Sequence, residues 1–431
     1  MANSKWKKEP VKKLCHRVGD GLHGTPVYSD STGIYFINGN NLKDGEIVIT
    51  ENTNTVSQEA LDNNFIALNE NTLLLSINGT LGSMAFYNNE TVMLGKSAAY
   101  LNFKTNINRF YYYYFQLNGV QKYFYNVATG STIKNLSLKS IQDFEVPVPD
   151  DNVWQPIVSI LSSLDAKIKL NNKINVELES IAKTIYDYWF VQFDFPNKNG
   201  KPYKSSGGEM SFNKKLKREI PVGWQYDELS EIESSIITGK TPSTSNPTFY
   251  NGEIPFITIG DVRGNMHITK TEQTLSSLGA AQQNNKFIPE GAICVTCIAS
   301  PGLVGFATKD SQTNQQLNTI VCDKFENRYF LYFYLKDYFK FAKAKTGNTF
   351  SNMNKGDFSA IKIVYPKQNI LIEFSKKIKP CVEKILNNSK ENDRLLRLRD
   401  WLLPMLMNGQ VTVKEAQEHI NQAAEPQEKY G

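Results

Sequence analysis

Two stretches of the chain carry apolar residues at steps of three and four. Between residues 156 and 189, Ile157, Leu161, Leu164, Ile168, Asn171, Asn175 and Leu178 follow the a/d seam of a heptad repeat. Residues 370–406 carry the same pattern. Each stretch predicts an amphipathic helix, and about 35–40 residues at 1.5 Å per residue make it roughly 50–60 Å long. Neither helix can bury its stripe alone, so the economical arrangement packs the two stripes together as a coiled coil. Asparagine on such a seam costs stability and fixes register and orientation. Pro404 predicts a kink or an end in the second helix.

The pattern ahead of each helix is different. Short apolar runs at 72–77, 292–299 and 361–364, separated by Gly, Asn and Asp, read as short strands. The aromatic runs 110–117 and 329–341 predict a helix packed on each sheet. The chain is also an internal repeat. TGSTIKNLSLKSIQDFEVPVP at 129–149 and TGNTFSNMNKGDFSAIKIVYP at 346–366 share a T-G-x-T start and a valine-x-proline near the end, 217 positions apart. At the same offset Ile157, Leu161, Leu164 and Ile168 fall on Phe374, Ile378, Cys381 and Ile385, while Asn171 and Asn175 fall on Asn388 and Asn392. With small gaps, Gly24-Thr25-Pro26 resembles Lys240-Thr241-Pro242, and Ile34 to Ile37 resembles Ile254 to Ile257.

The expected fold class is therefore mixed α/β (α+β): two globular domains and two long helices, with approximate two-fold symmetry. The expected boundaries are a first domain at 1–150, a helix at 151–190, a connector at 191–224, a second domain at 225–366, a helix at 367–410 and a tail at 411–431. The connector, rich in Pro, Gly, Lys and Asn, reads as extended, and the polar tail as loosely held.

Composition narrows the function classes. A length of 431 residues suits two or three domains, and 40% hydrophobic with 21% charged residues suits a soluble globular protein. No run of about 18 apolar residues predicts a membrane span. MANSKWKKEPVKK lacks the apolar core of a secretory signal, and five cysteines make no disulfide framework, so a cytoplasmic protein is expected. The net charge is +5. Residues 1–150 balance at 13 basic and 13 acidic, whereas residues 194–225 hold seven basic and three acidic. This permits an anionic partner, and a solvated basic surface accounts for it equally well.

The usual catalytic apparatus is missing. Gly239-Lys240-Thr241 looks like the end of a phosphate-binding loop, but Ser234 stands where that loop needs its first glycine and Pro242 follows where a helix should start. Asn246-Pro247-Thr248-Phe249-Tyr250 is similar to the base-holding motif of adenine methyltransferases, but Thr248 interrupts it and no glycine-rich cofactor loop lies upstream. Pro149-Asp150 with Asp165-Ala166-Lys167 imitates a metal-dependent nuclease signature, but the later residues lie on the amphipathic helix. Cys294 and Cys297 have no second pair to complete a zinc site, and His16, His23, His267 and His419 are scattered.

The whole chain resembles the DNA-specificity (S, HsdS) subunits of type I restriction–modification systems. The resemblance is carried by ILSSLDAKIKLNNKINVELESIAKTIYDYWF, by FVQFDFPNKNGKPYKSSGGEM with KREIPVGW, and by LLRLRDWLLPMLMNGQV. It implies a non-catalytic reader of double-stranded DNA with two target-recognition domains, one for each half of a split target. It implies that the two helices run antiparallel and hold the domains apart. Two methyltransferase (M) subunits would dock on the helices, and restriction (R) subunits would join them. S-adenosylmethionine, ATP and magnesium would belong to those partners, and no cofactor or membrane contact is implied for this chain.

Base readout needs donors and acceptors on loops that reach a groove, and cations on phosphates. In the first domain the candidates are Thr25, Asn78, Thr80, Lys96, Ser131, Thr132, Lys134 and Asn135. In the second they are Lys240, Thr241, Arg263, Ser300, Asn348, Thr349, Ser351 and Asn352. The T-G-x-T segments are also what helix caps and turns use. A coiled-coil scaffold joining protein partners fits the tandem helices, but it has no need of the paired T-G-x-T loops. A self-sufficient methyltransferase or nuclease would show turnover by the pure chain.

Overall fold

The computed structural model describes residues 6–346 and 352–424. They form two compact units. The first is Met1–Ala166 with Leu396–Gly431, and the second is Lys167–Leu395. Each long helix is therefore shared. Asp151–Tyr186 contributes its first part to the first unit, and Gln368–Met407 contributes its last part.

In the first unit four antiparallel strands lie in the order Cys15–Asp20, Ala98–Phe103, Thr72–Ser76, Met84–Phe86. The central two are buried along their whole length, which is why they read as unbroken apolar runs. A parallel pair, Tyr35–Ile37 with Val92–Leu94, and a short antiparallel pair, Lys7–Pro10 with Glu145–Val148, complete the unit. The aromatic helix Asn108–Phe115 buries Phe110, Tyr111 and Phe115 completely. Its Tyr111 hydroxyl donates to the Pro147 carbonyl (2.9 Å) and its Tyr113 hydroxyl to Asp165 Oδ2 (2.7 Å). Asp165 also pairs with Arg399 at 3.0 Å, which joins the two long helices in this unit.

The second unit repeats the plan. Ser235–Thr238, Leu317–Val321, Ile293–Thr296 and Val304–Ala307 stand in the same antiparallel order, with His267–Ile268 added at one edge. The parallel pair recurs as Phe256–Ile257 against Gln312–Thr313. The aromatic helix is longer here, Asn327–Thr346. The two long helices pair antiparallel: Asn171 Nδ2 donates to Asn392 Oδ1 (2.9 Å), and Asn388 Nδ2 to Asn175 Oδ1 (2.8 Å). The asparagines of the sequence repeat thus meet across the seam in crossed pairs, each bonding to the counterpart of its neighbour four residues away rather than to its own. Asn171 and Asn388 are buried, and each pairing satisfies an amide that burial has taken from water.

Three sequence expectations change. The second helix runs past Pro404 to Met407, although Pro404 has no N–H to give the Asp400 carbonyl, and it ends within a turn of that lost bond. The segment 191–224 is folded: strands Met210–Asn213 and Arg218–Pro221 form a hairpin, and Phe193, Phe195 and Trp224 are buried in one aromatic cluster. The tail holds a helix, Val413–Ala424, with Ala416 fully buried and His419 edge-on to Trp401. Among the described residues no helix is long and apolar enough to cross a membrane.

Candidate nucleic-acid interface

In the first unit the candidate residues gather on one edge of the sheet, where the strands end. The chain crosses the strand Val92–Leu94 at Gly21. A Cβ there would lie 2.0 Å from the Leu94 carbonyl oxygen, so only glycine lets the two backbones approach. Leu22 N then donates to that carbonyl (2.8 Å), and Lys96 N donates to the Leu22 carbonyl (3.0 Å). Thr25 and Lys96 are left exposed on neighbouring loops. Ser97 ties in the next loop: its hydroxyl donates to Asn38 Oδ1 and accepts from Gly39 N, both at 2.9 Å.

The T-G-x-T loop sits beside these. Thr129 and Asn135 exchange backbone bonds of 3.0 and 2.8 Å, and Leu136 N donates to the Ile77 carbonyl (2.9 Å). Asn78 and Asn135 face each other as a backbone bridge. Gly130 has φ +98°, and a Cβ there would meet the Ile133 carbonyl at 2.2 Å, so the motif's glycine makes the turn. Ser131 and Thr132 are exposed at its tip.

The second unit rebuilds this edge. Gly239 crosses Gln312–Thr313 as Gly21 crosses its strand, with a Cβ position 2.2 Å from the Asn314 carbonyl. Lys240 N donates to the Thr313 carbonyl (3.0 Å), and Met353 N donates to the Cys297 carbonyl (2.9 Å), the counterpart of Leu136 on Ile77. Asn38 with Asn41 and Thr258 with Asp261 form equivalent capping boxes. The backbone therefore matches Gly21-Leu22 to Gly239-Lys240. The sequence match of Gly24-Thr25-Pro26 to Lys240-Thr241-Pro242 slips, and Thr25 lies further along its loop than Thr241 does. Arg263 Nη2 donates to Ser300 Oγ (3.3 Å), and Ala299 N donates to Asn352 Oδ1 (3.3 Å). Asn348, Thr349 and Ser351 lie outside the described residues.

The candidates divide by what their polar atoms already do. Thr80 donates to the Gly39 carbonyl (2.7 Å), and Thr241 donates to Gln315 Oε1, so both hydroxyls hold loops together. The Lys134 ammonium lies 5.1 Å from the centre of the Tyr125 ring. Lys96, Lys240 and Arg263 are exposed cations suited to phosphate or guanine. Sequence reasoning missed Gln315, whose place in the polar run 308–316 marks it as a loop residue. It also missed Val27 and Ile133, which are 85% and 60% exposed on the same loops. Apolar tips of this kind suit the thymine methyl group. Behind the second edge, burial pushes the Cys297 thiol up to about 11 and the Cys294 thiol up to about 12, so both stay protonated and inert. Among the described residues, no group of three or more His, Cys, Asp or Glu side chains could hold a metal ion.

The arrangement is thus a doubled set of polar and cationic loops on rigid sheet ends. The family model for the type I restriction modification DNA specificity domain matches the chain twice, at residues 4–180 and 221–396. The chain is 35% identical over 347 residues to the HindI type I restriction enzyme specificity subunit of Haemophilus influenzae, covering 68% of this chain and 75% of that one. It is 27% identical over 328 residues to the MjaIX specificity subunit of Methanocaldococcus jannaschii, covering 72% and 70%. Among solved structures, the type I restriction–modification S subunit from M. genitalium superposes with a TM-score of 0.55 at 16% identity, over 94% of this chain and 96% of that one, and so shares its fold. Two matches to one DNA-specificity domain, laid over two copies of one loop-bearing edge, make this chain a member of the type I restriction–modification DNA-specificity subunit family.

Proposed function

We propose that each unit reads one half of a bipartite DNA target through its loop edge, and that the paired long helices set the gap between the halves. The observation that carries this reading is the repetition of the edge, glycine crossing included, in two units joined by shared helices. Recognition of a duplex whose halves run in opposite orientation suits a chain built as two copies. In this reading Thr25, Asn78, Lys96, Ser131, Thr132, Lys134, Asn135, Lys240, Arg263, Ser300 and Asn352 face DNA, while Thr80 and Thr241 shape the loops.

The chain itself performs no chemistry in this reading. Two M subunits dock on the helices and bring S-adenosylmethionine-dependent adenine methylation, and R subunits bring ATP- and magnesium-dependent translocation and cleavage, all in the cytoplasm. The test is a genome-wide map of N6-methyladenine in cells expressing this chain with its M subunit, against cells lacking this chain. A bipartite motif with a fixed gap is the expected result. A complex that assembles and is active, yet shows no chain-dependent motif, would leave the scaffold reading in its place.

A further inference from the structure

The hairpin in segment 191–224 presents a charged turn that the loop edges do not use. Lys214, Lys215 and Lys217 lie between its strands and are all exposed, with Arg218 next in the chain. The turn is firmly built: Asn213 Oδ1 accepts from both Lys215 N and Leu216 N at 3.0 Å. Lys217 sits at φ +53°, a conformation that glycine or asparagine takes at lower cost. None of these three lysines has an ion-pair partner among the described residues. Like charges crowded on a tight turn repel one another, so the arrangement is stabilised by an anionic partner rather than by the hairpin itself.

The hairpin's position favours one partner. Leu216 and Arg218 line a cavity of about 660 Å³ together with Tyr338 and Phe341 of the aromatic helix Asn327–Thr346. That helix also presses on the second reading edge, where a Cβ on Gly302 would lie 2.3 Å from Phe339 Cβ. Lys340 and Lys343 are exposed on the same stretch of helix. The cavity also holds two carboxylates: Asp337, which shares Lys183 with Asp187 (3.2 and 2.5 Å), and Asp357, against the cations Arg218 and Lys362 of the same lining. Exposed cations thus stand both on the hairpin turn and on the helix that reaches the reading edge.

We infer that the hairpin turn is a DNA-backbone clamp, in which Lys214, Lys215 and Lys217 bind phosphates flanking the half-site read by the second unit. Such contacts add affinity and fix register without reading bases. The inference rests on the DNA-reading function proposed above.

The test uses the full chain assembled with its M subunits and duplexes carrying the mapped target. The variant is Lys214→Gln, Lys215→Gln, Lys217→Gln, with Lys→Arg at the same positions as the conservative control. The slope of log affinity against log salt should shrink by about 2–3 in the Gln variant, or about one for each phosphate no longer neutralised. The Arg control should keep the parent slope, and the methylated motif should not change in either. An unchanged slope and affinity in the Gln variant would overturn the clamp. So would loss of M-subunit assembly in that variant, which would make the turn a protein-docking surface. A parent complex with no sequence-dependent methylation would bring down the DNA-reading assignment, and the clamp with it.

Discussion

Gly21 and Gly239 each hold a loop where no side chain fits. Alanine at either position must push apart backbones that would otherwise stand 2.0–2.2 Å from its Cβ. A cost of about 1–3 kcal/mol is expected for such overpacking. Urea denaturation of the full chain should show it. With the M subunit present, Gly21→Ala should degrade one half of the methylated motif and Gly239→Ala the other. His267 makes a different prediction. Burial holds its imidazole down at about 4, with Lys390 and Arg328 adding to the effect, while the Val382 carbonyl at 3.2 Å and Glu179 oppose it. An unfolded histidine titrates near 6.5, so between the two values the unfolded chain binds the extra proton. Stability from this site is complete above about pH 6.5 and falls as pH drops towards 4, by up to about 3 kcal/mol. His267→Gln should flatten that acid limb in a series of melts from pH 7 to pH 4.

At the scale of the element, the seam asparagines trade strength for uniqueness. Asn392 accepts from Asn171 and donates to the exposed Asn172 Oδ1 (2.8 Å), so Asn392→Ala leaves one hydrogen of the buried Asn171 amide without its acceptor, while Glu391 Oε2 keeps the other (2.8 Å). The expected loss is about 1–3 kcal/mol by thermal or urea melting. Leucine at positions 171, 175, 388 and 392 together should raise the melting temperature yet allow helix pairings out of register, which disulfide trapping at flanking positions would reveal. The seam positions were legible in the sequence because a heptad is a local signal, but the repeat matched Asn171 to Asn388 and Asn175 to Asn392, and the crossed bonding follows only from the antiparallel packing. The hairpin at 210–221 was not legible. Its folding depends on Phe193, Phe195 and Trp224 finding Phe190 and Phe330, none of which a local window of polar residues discloses. The helix Val413–Ala424 escaped for the same reason, since its packing on Trp401 is a tertiary contact. The first loop edge was legible as its polar T-G-x-T segment, whereas residues 347–351 of the second such segment lie outside the described residues. The true match of Gly21 to Gly239 was not legible, because the loops between differ in length and only the backbone crossing aligns them.

For the whole molecule, duplication makes specificity modular. Replacing residues 1–150 with the corresponding part of a relative should change one half of the methylated motif and leave the other half and the gap as they were. Adding one helical turn to both long helices should do the reverse, altering the gap alone. Sequencing of methylated sites in each strain checks both outcomes.

The sharing of each long helix between units has a consequence for synthesis. The first unit is closed by residues 396–424, which leave the ribosome only after the whole second unit has been made. At 5–20 residues per second that delay is roughly 10–50 s. Throughout it Asp165 lacks its partner Arg399, and the first unit lacks Leu402, Leu406 and Ala416, all buried in the finished protein. The nascent first half is thus a sticky intermediate by construction, and a chaperone present during translation should raise the yield of this chain more than that of a protein whose domains close in order.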